Sequence, residues 1–283
     1  MTSIDYAPAP ANLLPRSFRR LIGPSRLVTD SPIYGRLGLL MLLAMVPTFA
    51  AAGLDDRVFN GVSVWQKPLK FEFALGIYLL TLAFFARYVP ASVRVSRANR
   101  IFEIVVAFAI VGEILWIGAA AYLGVASHFN TQEPFFVLIY PVMGLMAAIL
   151  TSATAVQAYA IHGNQEADLP PALKTGIVMG LALTLPLTLI SAGYMSSVGS
   201  HWVGGAVDDA GGLTLMGWAR DGGDLRVAHF FATHAMHAIP LFALVSAFVF
   251  GAHNRRPVAL FAVSYVLFVA GVFIQAVIGR PFV

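Results

Sequence analysis

The chain has 283 residues, 58% of them hydrophobic and 11% charged, with a mean hydropathy of +0.77 and a formal net charge of +4. A soluble domain carries about 25% charge and about 45–50% apolar residues, so this composition excludes an ordinary soluble domain and points to a multi-pass membrane protein. Cysteine is absent, which removes disulfides, thiolate metal sites, iron–sulfur clusters and cysteine nucleophiles; the net charge implies no nucleic-acid partner, because in a membrane protein the placement of Lys and Arg sets topology.

Residues 1–34 are polar and Pro-rich and lack the apolar core of a cleaved signal peptide. They read as a cytoplasmic or interfacial tail, in which Leu13 to Leu27 can lie on the membrane as a basic amphipathic segment. A bilayer span needs about 20 apolar residues. Seven stretches qualify, at about 35–53, 71–90, 101–124, 135–161, 174–195, 227–251 and 257–278, so residues 35–283 form one all-α transmembrane domain. Polar breaks separate them: Gly53-Leu54-Asp55-Asp56, Pro90 and the basic turn after it, Ser127-His128-Phe129-Asn130, Pro170-Pro171, and Asn254-Arg255-Arg256-Pro257. With the N-terminus inside, 12 of the 18 basic residues fall on the inner side. This bias predicts an inside N-terminus and an outside C-terminus. The odd number of spans argues against a simple pair of inverted repeats.

That topology gathers polar groups in the outer half. The first outer loop carries Trp65-Gln66-Lys67-Pro68-Leu69-Lys70-Phe71-Glu72, the second His128 and Glu133, and the long third loop, about 196–225, His201, Asp208, Asp209, Arg220, Asp221 and Asp224. Arg280 follows the last span. Lys67, Lys70, Arg220, Arg226 and Arg280 make a cationic mouth suited to an anionic or amphipathic small molecule, or to headgroup anchoring. Asp221 and Asp224 are alternative partners for Arg220 and Arg226.

The sixth span holds His229, His234 and His237. At about 100° per residue, His229, Thr233 and His237 share an arc and His234 lies just beyond it. Pro240 is expected to kink the helix one turn later. Three readings stay open for the imidazoles: ligands of a transition metal or haem, proton relay or substrate contact, and packing at helix interfaces. The zinc-protease pattern His-Glu-x-x-His is absent. Glu113, near the centre of the third span, must be neutral or partnered there. Its candidate partners are a sixth-span histidine, a lysine of the first outer loop, or a metal. Glu113, His229 and His234 are therefore the candidate catalytic groups. Thr184, Thr188 and Ser191 on the fifth span, Ser264, Gly271 and Gln275 on the seventh, and Gly176-x-x-x-Gly180 read as helix-packing stripes.

The segments Val64-Trp65-Gln66-Lys67-Pro68-Leu69-Lys70-Phe71 and Gly223-Asp224-Leu225-Arg226-Val227-Ala228-His229-Phe230, followed by His234, resemble an uncharacterised group of bacterial multi-pass membrane proteins. The resemblance implies an inner-membrane location and no particular activity. Seven spans also invite comparison with retinal proteins, but 257–278 contains no lysine for a Schiff base. Seven scattered histidines fall short of the boxes of membrane di-iron hydroxylases. Three functions remain: an outward-opening site, metal- or haem-dependent or ligand-binding; a proton-coupled transporter; and a non-catalytic subunit of a larger membrane complex. The inner half looks poorer in polar groups, which ranks the transporter second.

Overall fold

A computed structural model describes residues 24–130 and 134–283. The Leu13–Leu27 surface segment lies largely outside the described residues, and Glu133 lies wholly outside them. The described chain is all-helical apart from two very short hairpins. Helix α1 spans Pro24–Asp30 and α2 spans Pro32–Leu54, with Pro32 at the first helical position, where the missing N–H costs nothing. Next come α3 (Gln66–Phe85), continued by a 3₁₀ turn to Tyr88, then α4 (Ala91–Arg94) and α5 (Arg97–Leu123). Ser96 caps α5 by accepting from the Asn99 N–H at 3.1 Å, and Gly124 ends it in the left-handed region. Helices α6 (Pro134–Gly163) and α7 (Pro171–Val198) follow, then α8 (Leu225–Thr233), α9 (Ala235–Val249) and α10 (Arg256–Val277).

Six of these helices are long and apolar enough to cross a membrane, or seven if α8 and α9, bent by 52°, count as one span. The 23 residues of α2 reach about 35 Å at 1.5 Å per residue, enough for a hydrocarbon core of about 30 Å. Large apolar side chains such as Leu43, Phe108, Leu138 and Leu267 point out of the bundle. In water that belt would be a liability; against lipid it is the expected solvent contact. Consecutive helices pack side by side, and α7 sits centrally, touching α6, α8, α9 and α10. Its closest neighbour is α9, because a Cβ on Gly176 would collide with the Ala243 methyl and one on Gly180 would lie 2.8 Å from Pro240 Cδ. The small-residue pair thus brings the two backbones together as the sequence predicts. Thr184, Thr188 and Ser191 are buried in the same region. Ser264 and Gly271 instead lie on the exposed side of α10, so that stripe does not pack within the chain.

Two boundaries differ from the sequence reading in ways that matter for the site. Helix α3 begins at Gln66, so Lys67, Lys70 and Glu72 stand on its first turns and not in a loop. Pro68 falls within that first turn, where its ring is tolerated. The break in the histidine-bearing span comes at His234, with Pro240 inside α9. The short hairpins, β1 (Val58–Phe59) with β2 (Val62–Ser63) and β3 (Trp202–Val203) with β4 (Gly223–Asp224), lie at the end of the bundle that carries Lys67. Asn60 and Gly61 turn the first hairpin with positive φ at both positions.

Candidate functional site

The hairpin end is organised by one buried carboxylate. Asp224 is 2% exposed, pairs through β4 with Trp202, and caps α8 by accepting from the Arg226 N–H at 2.9 Å. It also accepts from the Ala219 N–H at 3.0 Å and holds the Arg226 guanidinium at 2.7 Å. Arg226 then reaches Asp209 Oδ1 and the Gly217 carbonyl, each at 2.7 Å. Gly223 has no alternative here, since any Cβ would strike the Ala276 carbonyl at the end of α10. The segment between α7 and α8 is therefore folded back over the helices, with Trp218 packed on Val227, Ala228, Val272, Phe230 and Phe282. Asp209 N–H donates to Asn60 O at 2.9 Å and ties this segment to the first hairpin.

The five cations of the sequence-predicted mouth do not form one ring. Arg226 is held by two carboxylates. Lys70 Nζ donates to the Met216 carbonyl at 3.0 Å and to Gln66. Arg220 and Arg280 are exposed, with no ion pair among the described residues. Asp221 receives the Ala206 N–H and does not pair with Arg220. Lys67 has no carboxylate in direct contact among the described residues and lies against a histidine instead. Its Nζ lies 3.2 Å from His128 Nδ1 and 5.9 Å from the Phe71 ring centroid. Its charge and those of Glu113, Arg226 and Asp209 act on one another. Lys67 nevertheless keeps an exposed surface. The ammonium thus stands at the accessible end of the bundle with these charges in its neighbourhood.

Glu113, 4% exposed on α5, feels the charge of Lys67 but makes no ion pair with it among the described residues, and its Oε1 receives no hydrogen bond there. No histidine hydrogen-bonds to Glu113 among the described residues. His128 sits above Lys67, between Phe71, Phe129 and Tyr140, and also contacts Ser127 Oγ at 3.0 Å. Burial, reinforced by the neighbouring Lys67 charge, holds its imidazole well below the usual range. An uncharged Nδ1 then accepts from the Lys67 ammonium. Phe129, next in the chain, has φ 58°, a strained conformation for a bulky residue. It faces both His128 and His201.

The three histidines of α8 and α9 face three different partners. His229 Nδ1 lies 3.0 Å from Ser191 Oγ on α7. His234 Nδ1 lies 2.8 Å from the Phe230 carbonyl, and its ring stacks on Phe230. His237 Nε2 lies 3.0 Å from Thr81 Oγ1 on α3. Among the described residues no three His, Asp or Glu side chains are placed to hold a metal ion. His229, His234 and His237 therefore do not form the ligand set that their spacing proposed. The helix bends by 52° at His234, so one helical period does not run through all three residues.

The geometry fixes one of the three protons: a carbonyl only accepts, so His234 carries its proton on Nδ1. The single Ser191 hydroxyl proton serves the Leu187 carbonyl, the Thr188 carbonyl or His229 Nδ1, and the single Thr81 proton serves the Ile77 carbonyl or His237 Nε2, so both tautomers of His229 and of His237 are compatible with these contacts. Each ring is thus oriented by one nitrogen. His237 Nδ1 is buried without a partner, 5.2 Å separating its ring centroid from that of His234.

Other polar groups of this end stand out only in three dimensions. The His201 and Trp202 rings lie tilted against each other with centroids 3.8 Å apart, and His201 Nε2 and Trp202 Nε1 are both buried without partners among the described residues. Burial, with the Arg226 charge adding to it, pushes His201 down to about 3. Glu72, 5% exposed, accepts from Thr48 of α2 at 2.8 Å and leaves Oε2 unpaired. Asp55 is held far below the carboxylate range by hydrogen bonds from Arg57 and Trp65. The Asn-Gly turn was a readable hairpin signal; Thr48–Glu72 and Asp209–Arg226 carry none. No family model, no curated protein and no solved structure matches the chain.

Proposed function

We propose that the chain is a seven-span bacterial inner-membrane protein, N-terminus inside and C-terminus outside, whose hairpin end faces outward and binds an anionic, amphipathic small molecule. The α8–α9 pair counts as one span in this reading, and the resemblance of the Lys67 and Asp224 segments supplies the compartment. The observation that carries it is Lys67, an accessible ammonium with no carboxylate in direct contact among the described residues, flanked by Phe71 and by the His128 ring; in this reading it stands in an outer recess. Trp202 supports it: an indole N–H only donates, and this one is buried without an acceptor. A carboxylate-bearing amphiphile offers acceptor oxygens to both and an apolar tail to the aromatic walls. Glu113, His229 and His234 lie deeper and are the groups able to exchange protons with such a ligand.

The test uses the four native tryptophans. A brominated fatty acid, its methyl ester and a brominated alkylammonium are titrated against the purified protein in detergent, and fluorescence quenching is read. The free acid alone should quench saturably. Lys67→Ala should weaken it about ten- to 100-fold, the worth of a charge-assisted hydrogen bond of about 1.5–3 kcal/mol. Equal quenching by all three probes, or an unchanged Lys67→Ala titration, refutes the reading.

A further inference from the structure

The opposite end of the bundle contains a small cleft of about 30 Å³ between α2, α4, α5 and α6. Its lining includes Tyr34, Arg94, Asn99, Glu103 and Gln157. Gln157 is 8% exposed; its Nε2 donates to the Leu82 carbonyl at 2.9 Å, while Oε1 has no partner among the described residues. Glu103 accepts from Asn99 Nδ2 at 3.1 Å. Liquid water occupies about 30 Å³ per molecule, and a buried water needs two to four polar partners. Gln157 Oε1, Glu103, Arg94 and the Tyr34 hydroxyl supply them. The charged and titratable groups facing Glu103 are Arg94 from α4 and Tyr34 from α2; α6 contributes the neutral Gln157, and Asn99 lies on Glu103's own helix.

These groups continue a series that starts in the outer recess. Glu113 lies ten residues before the end of α5 and Glu103 twenty, about 15 Å and about 30 Å along the helix. Thr81 is fifteen residues into α3, about 22 Å down it and so between the two carboxyls. Thr81 contacts His237, whose ring lies beside that of His234, and the next residue, Leu82, holds Gln157 over the cleft. Polar residues in a membrane interior are costly, and a set spaced across its depth marks a pathway.

We infer that the cleft is a hydrated proton-exchange site, with Glu103 as the inner terminus of a proton route running through His234, His237 and Thr81 from the outer recess. Each step moves one proton and no electrons. His234 takes up a proton at Nε2 and gives it to His237 Nδ1; His237 releases its Nε2 proton to the Thr81 hydroxyl, which rotates from the Ile77 carbonyl and gives its own proton to water, and rotation of the hydroxyl and ring restores the starting state. Water held by Gln157 delivers it to the Glu103 carboxylate. The route does not depend on which molecule the outer recess binds.

The chain is reconstituted in potassium-loaded liposomes containing a pH dye, and valinomycin sets an inside-negative potential. Lumenal acidification should exceed that of protein-free liposomes several-fold. Glu103→Gln should lower it about tenfold, Glu103→Asp should retain part of it, and the lipid-facing Leu267→Ala should conduct like the parent. Rates equal to protein-free liposomes, or unaffected by Glu103→Gln, overturn the inference. A second measurement does not require a carboxyl variant. The chain has no cysteine, so Ala160→Cys in the cleft wall gives a single thiol. A water-soluble, membrane-impermeant methanethiosulfonate should modify it from the inner side only. An unreactive thiol means a dry cleft and also overturns the inference.

Discussion

Asp224→Ala is the change that should cost this protein most for a single polar side chain. The carboxylate is 2% exposed and serves the Ala219 N–H, the Arg226 N–H and the Arg226 guanidinium together. Losing the α8 cap costs about 1 kcal/mol. Leaving one member of a buried ion pair uncompensated costs about 3–5 kcal/mol. The lower end applies, because the Arg226 side chain is 25% exposed and keeps Asp209 at 2.7 Å. A total near 4 kcal/mol corresponds to a fall in melting temperature of roughly 10 °C in a chain of this size. Trp202 and Trp218 flank the pair, so their fluorescence during a thermal ramp in detergent reports the loss. Adding Arg226→Met to Asp224→Ala should restore about half of it, since the second change removes the stranded charge. A fall under about 2 °C, or strictly additive effects in the double variant, would show that Asp224 does not hold this end together.

Gly180→Ala should destabilise by about 1–3 kcal/mol, because the new methyl must displace Pro240 Cδ at 2.8 Å and the Ala235 carbonyl at 2.9 Å. Gly144→Ala, with nothing within 4 Å, is the matched control and should be silent; equal melting temperatures for the two variants would remove the close approach of α7 and α9. His201 sets an acid limit on the outer segment. The unfolded imidazole binds a proton below about 6.5, whereas the folded one stays neutral to about 3. Stability therefore falls as pH drops through that window, by about 2 kcal/mol at pH 5. His201→Phe should lose less on going from pH 7 to pH 5, read as melting temperature and as proteolytic cutting between Val203 and Gly212. A parallel decline in parent and variant would contradict the burial of this ring.

The spans were legible because each is a long apolar run bounded by Pro, Gly or charge, and the Gly176–Gly180 pair because small residues in such runs have few other uses. What the sequence could not supply is pairing across the bundle. Thr48 meets Glu72 and Thr81 meets His237 only because α2, α3 and α9 are neighbours. Arg226 had Asp224 beside it as a readable partner, while Asp209, seventeen residues earlier, arrives through loop packing. The expected shortage of polar groups in the inner half was a reading of hydropathy along the chain. Gln157, Glu103 and Asn99 are each isolated in sequence and meet only in the cleft.

The bend at His234 links these observations. The Phe230 carbonyl is approached by the His234 backbone N–H at 3.1 Å, by Thr233 Oγ1 at 2.9 Å and by His234 Nδ1 at 2.8 Å. Side-chain donors competing for one backbone acceptor loosen the ladder at that turn, and Pro240, without an N–H, cannot repair it from below. The helix breaks where the competition is, six residues before the proline. An unbroken helix would keep His229, His234 and His237 in a fixed phase and turn His234 just past the shared arc. With the break, α8 directs His229 at α7, while α9 carries His237 across to Thr81 on α3. The histidines lose the common focus that a three-histidine metal site requires and gain an extended arrangement in which the His234 and His237 rings stand side by side. On the proton route inferred above, that arrangement suits handing protons from ring to ring more than holding an ion at one point.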